Sequence, residues 1–326
     1  MKKLYKISDA NSLDSVDYGD YDWSQITKPS LGELAAIKKR TGLEPDTVKL
    51  ILASRESNKI EGLTEDNKPL MIVAQYPIRI KSSLGNYQEF NTSPIICIQT
   101  NDTDSGDIIT ISNEEPNFIK SLQEDAEDLK MPLKNKKDII LLIIYYMAKD
   151  YNAILMLLNE ESNKIEIALR EATNNDILYN MLSIQKTISS FLDSLKDNNT
   201  ICNRIINDSN YFKSEKYTQL ATLASVELGE ATELAHHLDY LLDKYSNLIS
   251  SIVQNNQSVM VNALTKWGTV FAYVSLIFGG LGINYWLPDE SNKKAFILII
   301  ALVLLSAFGI SKYIDHLLDR QNKRRG

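Results

Sequence analysis

Two long apolar runs dominate the pattern of hydrophobic and polar positions near the end of the 326-residue chain. Residues 267–288 form a run of 22 residues without a charge, roughly 33 Å long as a helix, which is enough to cross the hydrocarbon core of a bilayer. Residues 295–311 form a second run of 17 residues, and the lysines that flank it can extend toward the headgroups. The pattern predicts two transmembrane helices.

The charges that flank these runs predict an orientation. Basic residues follow the second run, and the positive-inside rule places such a tail in the cytoplasm; the tail residues are Arg320, Lys323, Arg324 and Arg325. Two crossings then place both termini inside. Only a short connection faces outward, and it carries Asp289 and Glu290. We therefore expect an integral protein of the cell membrane whose basic tail lies close to membrane lipids.

The polar body that precedes the two runs has the pattern of an α/β domain followed by long helices. Predicted strands are residues 4–7, 69–75, 94–100 and 108–112, and predicted helices are residues 30–40, capped by Ser30 with Glu33 three positions later, and 45–53. From residue 138 the pattern is helical, with a turn at residues 173–176 between two antiparallel helices. The apolar run at residues 139–148 is too short to cross a bilayer and indicates a core helix.

This pattern divides the chain into seven segments. They are a cytoplasmic α/β domain (1–125), long antiparallel cytoplasmic helices (126–213), a stalk helix (214–266), a first transmembrane helix (267–285), an external loop (286–294), a second transmembrane helix (295–314) and a basic cytoplasmic tail (315–326). One continuous helix from about residue 214 to residue 281 is predicted to join the stalk to the first membrane crossing.

The predicted stalk carries apolar residues at alternating spacings of four and three, the spacing of a coiled-coil seam: Leu234, Leu238, Leu241, Tyr245, Leu248 and Ile252. At this stage the chain offers no evident partner for such a long helix. We therefore expect copies of the same chain to pack against it, in a parallel homo-oligomer.

Small and polar residues continue the same spacing into the membrane and form a polar stripe along one face: Asn247, Ser251, Gln254, Ser258, Val261, Thr265, Gly268, Ala272, Ser275, Gly279 and Gly282. The opposite face is large and apolar, as expected beside lipid or the second span. One interpretation is a pore that several copies line with hydroxyl and amide groups. The other is close helix packing through small residues. We favour the pore because polar residues continue the stripe below the membrane.

The first span ends with the tripeptide Gly282, Ile283 and Asn284. Glycine lets the backbone turn sharply, and copies around an axis would direct several Asn284 carboxamide oxygens at one point. Such a ring suits a hydrated cation, and Mg²⁺ gives up its water reluctantly. The stripe has no His, Cys, Asp or Glu, which weighs against direct binding of Zn²⁺ in the pore.

Composition restricts the other possible functions. The chain is 44% hydrophobic with a net charge of -7, which excludes an intrinsically disordered protein. The cysteines, Cys97 and Cys202, fit a reducing cytoplasm. Neither a phosphate-binding glycine loop nor a convincing histidine site occurs, so we expect no enzyme, no cofactor and no nucleic-acid partner. The acidic stretch with Asp102, Asp104 and Asp107 could bind a hard cation, although a solvated loop is the favoured interpretation.

Taken together, two C-terminal spans, the long helix that feeds the first, the Gly-x-Asn at its outer end, the Pro288–Asp289 loop and the basic tail resemble CorA-type divalent metal ion transporters. The resemblance implies a funnel-shaped homopentamer with an inner α/β/α domain and a pore lined by the first span. It assigns selectivity to Gly282, Ile283 and Asn284, and pore-lining positions to Ser258, Val261, Leu264, Thr265, Ala272 and Ser275.

The resemblance implies Mg²⁺ uptake as the first hypothesis. Ile283 stands where the family usually has Met, a variant that resembles the zinc-transporting branch. Transport of Zn²⁺, Co²⁺ or Ni²⁺ is therefore the alternative. A second alternative is a membrane-anchored oligomeric sensor or scaffold that conducts nothing.

Overall fold

The computed structural model describes residues 1–8, 13–53, 59–63, 69–85, 87–100, 107–125, 133, 135–171, 175–208, 212, 214–282 and 293–322. Two compact units make up the chain, Met1–Tyr245 and Ser246–Gly326. Helix α6 begins in the first unit and ends in the second. Of the predicted turn at residues 173–176, residues 173 and 174 lie outside the described residues, and Asn175 and Asp176 begin α5.

A seven-stranded sheet forms the centre of the first unit, in the order β2-β1-β3-β7-β6-β5-β4. Its strands are β1 (Lys2–Ile7), β2 (Leu13–Val16), β3 (Trp23–Thr27), β4 (Lys59–Glu61), β5 (Met71–Lys81), β6 (Gln88–Gln99) and β7 (Ile108–Ser112). Only β3 and β7 pair in parallel among these strands. The four predicted strands are confirmed as β1, β5, β6 and β7, whereas the sequence pattern missed β2, β3 and β4.

The helices are α1 (Leu31–Thr41), α2 (Pro45–Ala53), α3 (Phe118–Asp125), α4 (Lys136–Glu171), α5 (Asn175–Asp208), α6 (Glu215–Gly282) and α7 (Lys293–Asn322). Helix α1 has the predicted capping box, in which Ser30 and Glu33 bond each other's backbone amides, and Gly42 ends it in the left-handed conformation. Helix α2 begins at Pro45 and ends at Ala53, as predicted.

Helices cover both faces of the sheet. On one face α1 and α2 pack onto alternate strand residues, so that Leu34, Ile37 and Val48 share a core with Val73 and Ile96. On the other face, α4 and α5 contact Gln75 of β5. The Asn198 carboxamide of α5 bonds the amide and the carbonyl of Gln75, and the Tyr151 hydroxyl of α4 donates to the same carbonyl. The result is the α/β/α arrangement that the resemblance implies. The run at residues 139–148 is confirmed as part of a core helix, and nearly all of it is buried.

Hydroxyl residues of α5 complete one edge of β6. The half of β6 that extends past β7 pairs with β5 alone. There the amide of Phe90 donates to Thr187 Oγ1, and Ser194 Oγ donates to Thr92 Oγ1. These contacts hold α5 against the β5–β6 hairpin, and the first of them satisfies the Phe90 amide.

Helix α6 corrects the prediction about the stalk seam. Within the first unit its buried face is Leu228, Ala231, Ala235, Leu238, Leu242 and Tyr245. The Tyr245 hydroxyl donates to Glu166 of α4, and Asn152 of α4 donates to Glu227 of α6. The expectation that the seam has no partner within the chain was therefore wrong, because side chains of the 36-residue α4 bond to α6. Leu248, by contrast, is 48% exposed.

The second unit consists of the rest of α6 and of α7. Val270 of α6 and Val303 and Ala307 of α7 are buried, so these positions mark where the two helices pack. At one end of this contact the Lys266 ammonium lies 2.7 and 2.8 Å from the two carboxylate oxygens of Asp315.

Candidate functional site

The polar stripe of α6 lies on exposed surface in the single chain. Every stripe position from Asn247 to Gly279 is exposed, as is Leu264, which the resemblance added to the lining set: Asn247, Ser251, Gln254, Ser258, Val261, Leu264, Thr265, Gly268, Ala272, Ser275 and Gly279. The amides belong to the predicted stalk below the membrane, whereas Ser275 lies within the predicted span, where a polar group needs a polar partner or water. The stripe therefore requires other copies of the chain or water.

Helix α7 packs against a different face of α6. Val270 is buried, and Lys266, Tyr273, Val274 and Ile277 are half-buried along the same side of the helix. A methyl group built at Gly268 or at Gly279 would meet no atom within 4 Å. The small residues of the stripe therefore do not serve close packing of α6 against α7. Close helix packing between these two helices does not explain the stripe.

The large apolar residues of α6 form a third surface. Trp267 is 57% exposed, Phe271 66% and Phe278 45%. Sequence patterning left open whether lipid or the second span covers this surface. Since α7 leaves these rings exposed, they are the surface of α6 best suited to lipid.

Some hydroxyls of the stripe are oriented by their own helix. Ser251 Oγ donates to the carbonyl of Asn247 at 2.9 Å, in the usual backbone bond of a helical serine. Because its proton is used in this way, Ser251 presents only oxygen lone pairs to the exposed side. An oxygen of this kind accepts from water or faces a hard cation.

The outer end of α6 is described only in part. Gly282 is its last residue, while Ile283, Asn284, Asp289 and Glu290 lie outside the described residues. In the basic tail, Arg320 is part of α7, whereas Lys323, Arg324 and Arg325 lie outside the described residues. The selectivity tripeptide and the basic tail therefore stay predictions.

Two helices within the described ranges are long and apolar enough to cross a membrane. In Lys136–Leu169 the apolar window is 72% buried, which identifies the core helix of the first unit. In Glu215–Gly280 only 6% of the window is buried, so its apolar residues face outward. This contrast in burial separates the membrane candidate from the core helix, although their hydropathies are similar.

Candidate ligands for a directly bound metal are scarce where the chain is described: no three His, Cys, Asp or Glu residues there could hold one ion. Asp102 and Asp104 lie outside the described residues. Asp107 bonds Arg40 and lies 3.1 Å from Lys136 Nζ, so two cations already neutralise this carboxylate. Cys97 and Cys202 are buried, and burial raises the pKa of each thiol to about 12.

Sequence reasoning missed the ion pair between Lys266 and Asp315. The two residues are 49 positions apart, and each lies at the cytoplasmic end predicted for its span. The sequence could have indicated this pair, because the two residues carry opposite charges at corresponding ends of the two apolar runs.

Comparison with known proteins gives consistent matches over nearly the whole chain. A family model described as "CorA-like Mg2+ transporter protein" matches residues 18–316. The cobalt/magnesium transport protein CorA of Methanocaldococcus jannaschii is 24% identical over 313 residues, which is 90% of each chain. The complete structure of the CorA magnesium transporter from the same organism superposes with a TM-score of 0.76 at 18% identity, covering 98% of both chains.

Two further solved structures share the fold. The full-length CmaX protein has a TM-score of 0.69 at 12% identity, covering 96% of this chain and 98% of that one. The cytoplasmic domain of ZntB from Vibrio parahaemolyticus has a TM-score of 0.57 at 13% identity, covering 78% of this chain and 98% of that one. The predicted fold class, an α/β domain followed by long helices and two C-terminal helices, is confirmed.

Proposed function

Because the chain belongs to the CorA-like Mg²⁺ transporter family, and so transports divalent metal cations across a membrane, we propose that it takes up Mg²⁺ through a pore lined by α6. The observation that carries this proposal is that the polar stripe is exposed along α6 in the single chain. Its amides lie in the predicted stalk and Ser275 lies in the predicted span, so a central pore would give the whole stripe one continuous aqueous path.

The pore requires several copies of the chain, and we propose a parallel homopentamer. Each copy contributes one α6, with the stripe toward the axis and the surface of Trp267 and Phe271 toward lipid. Helix α7 then lies beside α6 and away from the axis, since it packs at Val270. The three surfaces of α6 would then face the pore, the lipid and α7.

Selectivity in this proposal belongs to Gly282, Ile283 and Asn284. A ring of Asn284 carboxamides at the outer mouth would bond the water shell of a cation without removing it. Asp289 and Glu290 in the external loop add negative charge that raises the local concentration of cations.

The basic tail and both termini are placed in the cytoplasm of the cell in this proposal. Arg320, Lys323, Arg324 and Arg325 would bind anionic headgroups, at roughly 1 kcal/mol for each charge near the surface. They also favour the orientation in which cations enter through the Asn284 ring.

Transport of Zn²⁺, Co²⁺ or Ni²⁺ is the second candidate. Ile283 in place of the family's usual Met favours it, as does the name of the curated relative, a cobalt/magnesium transport protein. A sensor or scaffold without conduction is less well supported, since a protein that conducts nothing has no need of an exposed polar stripe in its membrane helix.

Uptake into liposomes tests the proposal. Purified protein is reconstituted, and entry of Mg²⁺, Co²⁺, Ni²⁺ and Zn²⁺ is followed with metal-sensitive dyes, with and without a pH gradient. We expect Mg²⁺ entry that does not require the gradient. Entry of Zn²⁺ alone would establish the second candidate, and no entry of any ion would support the scaffold.

A further inference from the structure

A polar cavity of about 350 Å³ lies in the first unit between the β5–β6 hairpin and α5. Six polar side chains line it: Glu89 and Asn91 from β6, and Lys186, Ser189, Ser190 and Asp193 from α5. It belongs to the body of the protein and shares no residue with the proposed pore.

Glu89 is the unusual residue of this cavity. Its side chain is only 7% exposed, and its Oε2 is fully buried without a hydrogen-bond partner. Removing a carboxylate from water without a compensating partner is unfavourable. Lys186, the one cation of the lining, bonds Ser83 Oγ at 3.4 Å instead.

Neighbouring polar groups are already committed to one another. Asn91 Oδ1 accepts from Ser190 Oγ at 2.8 Å and from the Thr92 amide at 2.9 Å. Because Ser190 gives its proton to Asn91, its oxygen offers only lone pairs to the cavity. Asp193 adds a second carboxylate, and this residue is exposed at the cavity surface.

We propose that this cavity binds a hydrated divalent cation, with buried Glu89 as its inner anion and Asp193 as its outer one. The donors are all oxygens, which hard cations prefer. Mg²⁺ commonly keeps several waters and uses one or two carboxylates, as this lining offers. Six waters occupy roughly 180 Å³ at about 30 Å³ each, so the cavity accommodates a hydrated ion.

Lys186 then acts as a competitor for Glu89. An ammonium in the same cavity repels a divalent ion, and with no metal bound its flexible chain allows it to approach the carboxylate. Removing this charge is expected to tighten cation binding. If Lys186 is instead the permanent partner of Glu89, a variant without this lysine should be less stable than the parent and should not bind cations more tightly.

The test counts Mn²⁺, used as a paramagnetic substitute for Mg²⁺, bound to the full-length protein in detergent by electron paramagnetic resonance. We expect Glu89→Gln to bind one Mn²⁺ fewer per subunit than the parent. Glu44→Gln, a change at an exposed glutamate of the same unit that pairs with Lys38, is the matched control and should bind as many as the parent. Equal counts for Glu89→Gln and the parent would overturn the site.

Two further variants test the site without changing Glu89. Asp193→Asn should weaken the same Mn²⁺ several-fold, and Lys186→Met should tighten it several-fold; unchanged binding in both overturns the proposal. Without metal, Glu89→Gln should also melt at a higher temperature than the parent, because a neutral amide is less costly to bury. A lower melting temperature would show a structural partner and contradict the site. None of these measurements depends on conduction.

Discussion

Lys266 of α6 and Asp315 of α7 form an ion pair in which one ammonium contacts both carboxylate oxygens, at 2.7 and 2.8 Å. Lys266 is 22% exposed and Asp315 52%, so the pair lies at the surface of the second unit. It ties together the predicted cytoplasmic ends of the two spans. The buried residues Val270, Val303 and Ala307 are apolar, so this pair is a polar contact beside an apolar one.

We expect Lys266→Met and Asp315→Asn each to loosen this contact, and the exchange Lys266→Asp with Asp315→Lys to restore it. The coupling energy from the double-mutant cycle should be about 0.5–1 kcal/mol, as for other exposed pairs. Unfolding in mixed micelles of increasing SDS content measures it. A coupling energy of zero would show that apolar packing alone sets the register.

Asn198 is expected to be a major stabilising residue of the first unit. It is fully buried, its Oδ1 accepts from the Gln75 amide at 3.0 Å, and its Nδ2 donates to the Gln75 carbonyl at 2.7 Å. Asn198→Ala removes both bonds and leaves a cavity, at a cost of about 2–3 kcal/mol. For a unit of this size the melting temperature should fall by roughly 5–10 °C.

Asn203→Ala is the control for that prediction, since Asn203 lies on the same helix and is exposed. Its melting temperature should remain within about 2 °C of the parent. If both variants melt alike, the contacts of Thr187 and Ser194 with β6 are sufficient to hold α5 on the sheet.

The sequence predicted those elements whose signals are local. The Ser30 and Glu33 box, Pro45 at a helix start and the alternation of β7 all depend on neighbours a few positions away. The sequence pattern did not predict strand β3, because its residues Ser24 and Gln25 are polar yet buried. The Gln25 carboxamide accepts from the Tyr5 hydroxyl at 2.9 Å, so distant hydrogen bonds replace the apolar alternation that reveals most strands.

Partners of a helix were harder to predict than the helix itself. The continuous α6 was anticipated almost to the residue, because nothing in its sequence breaks a helix. Its seam was assigned to other copies, although Tyr245 bonds Glu166 within the chain. A spacing of three and four shows that a helix has a buried face but does not identify what buries it.

Stability of the first unit should depend on the protonation of Asp150. Burial raises the pKa of this carboxyl from 3.8 to about 6, and its Oδ2 has no hydrogen-bond partner. The folded state thus holds the proton more tightly than the unfolded state, so stability falls as pH rises from about 4 to about 6. The loss amounts to about 3 kcal/mol at most and is complete above that window.

Asp150→Asn should remove this pH dependence. Its melting temperature should equal that of the parent near pH 4 and exceed it above pH 6, as measured by circular dichroism between pH 4 and pH 7.5. Asp46→Asn, at a side chain that is 96% exposed, is the control and should follow the parent. If Asp150→Asn follows the parent at every pH, the buried carboxyl has a partner that stabilises its charged form.

Cysteine substitution can distinguish the stripe from the lipid-facing surface of α6. The native thiols are buried with pKa values of about 12, so a new cysteine is the only reactive one. Thr265→Cys should react with a charged methanethiosulfonate reagent and form disulfide-linked dimers under oxidation. Phe271→Cys should react about tenfold more slowly, because a thiol facing lipid is rarely ionised. Equal rates at the two positions would contradict the three-surface arrangement.

Asn284 is the residue on which selectivity depends most in the proposed pore. Asn284→Ala should abolish or strongly reduce Mg²⁺ uptake into liposomes and leave assembly intact, since an amide that faces water in the proposed pore would contribute little to folding. Asn284→Asp adds one negative charge per subunit at the same place. Its carboxylate ring would hold a divalent ion more tightly and release it more slowly, so selectivity should change while flux stays low.

Ser275→Ala is the matched control for Asn284→Ala. It removes one hydroxyl per subunit from the exposed stripe and should cost much less uptake than the loss of the amide ring, because water and the remaining hydroxyls still line the pore. Assembly is measured by the mass of each variant in detergent, so that a lost oligomer is not mistaken for a lost ion site. An Asn284→Ala protein that assembles and conducts like the parent would show that Gly282, Ile283 and Asn284 only turn the chain, and selectivity would then have to come from the stripe.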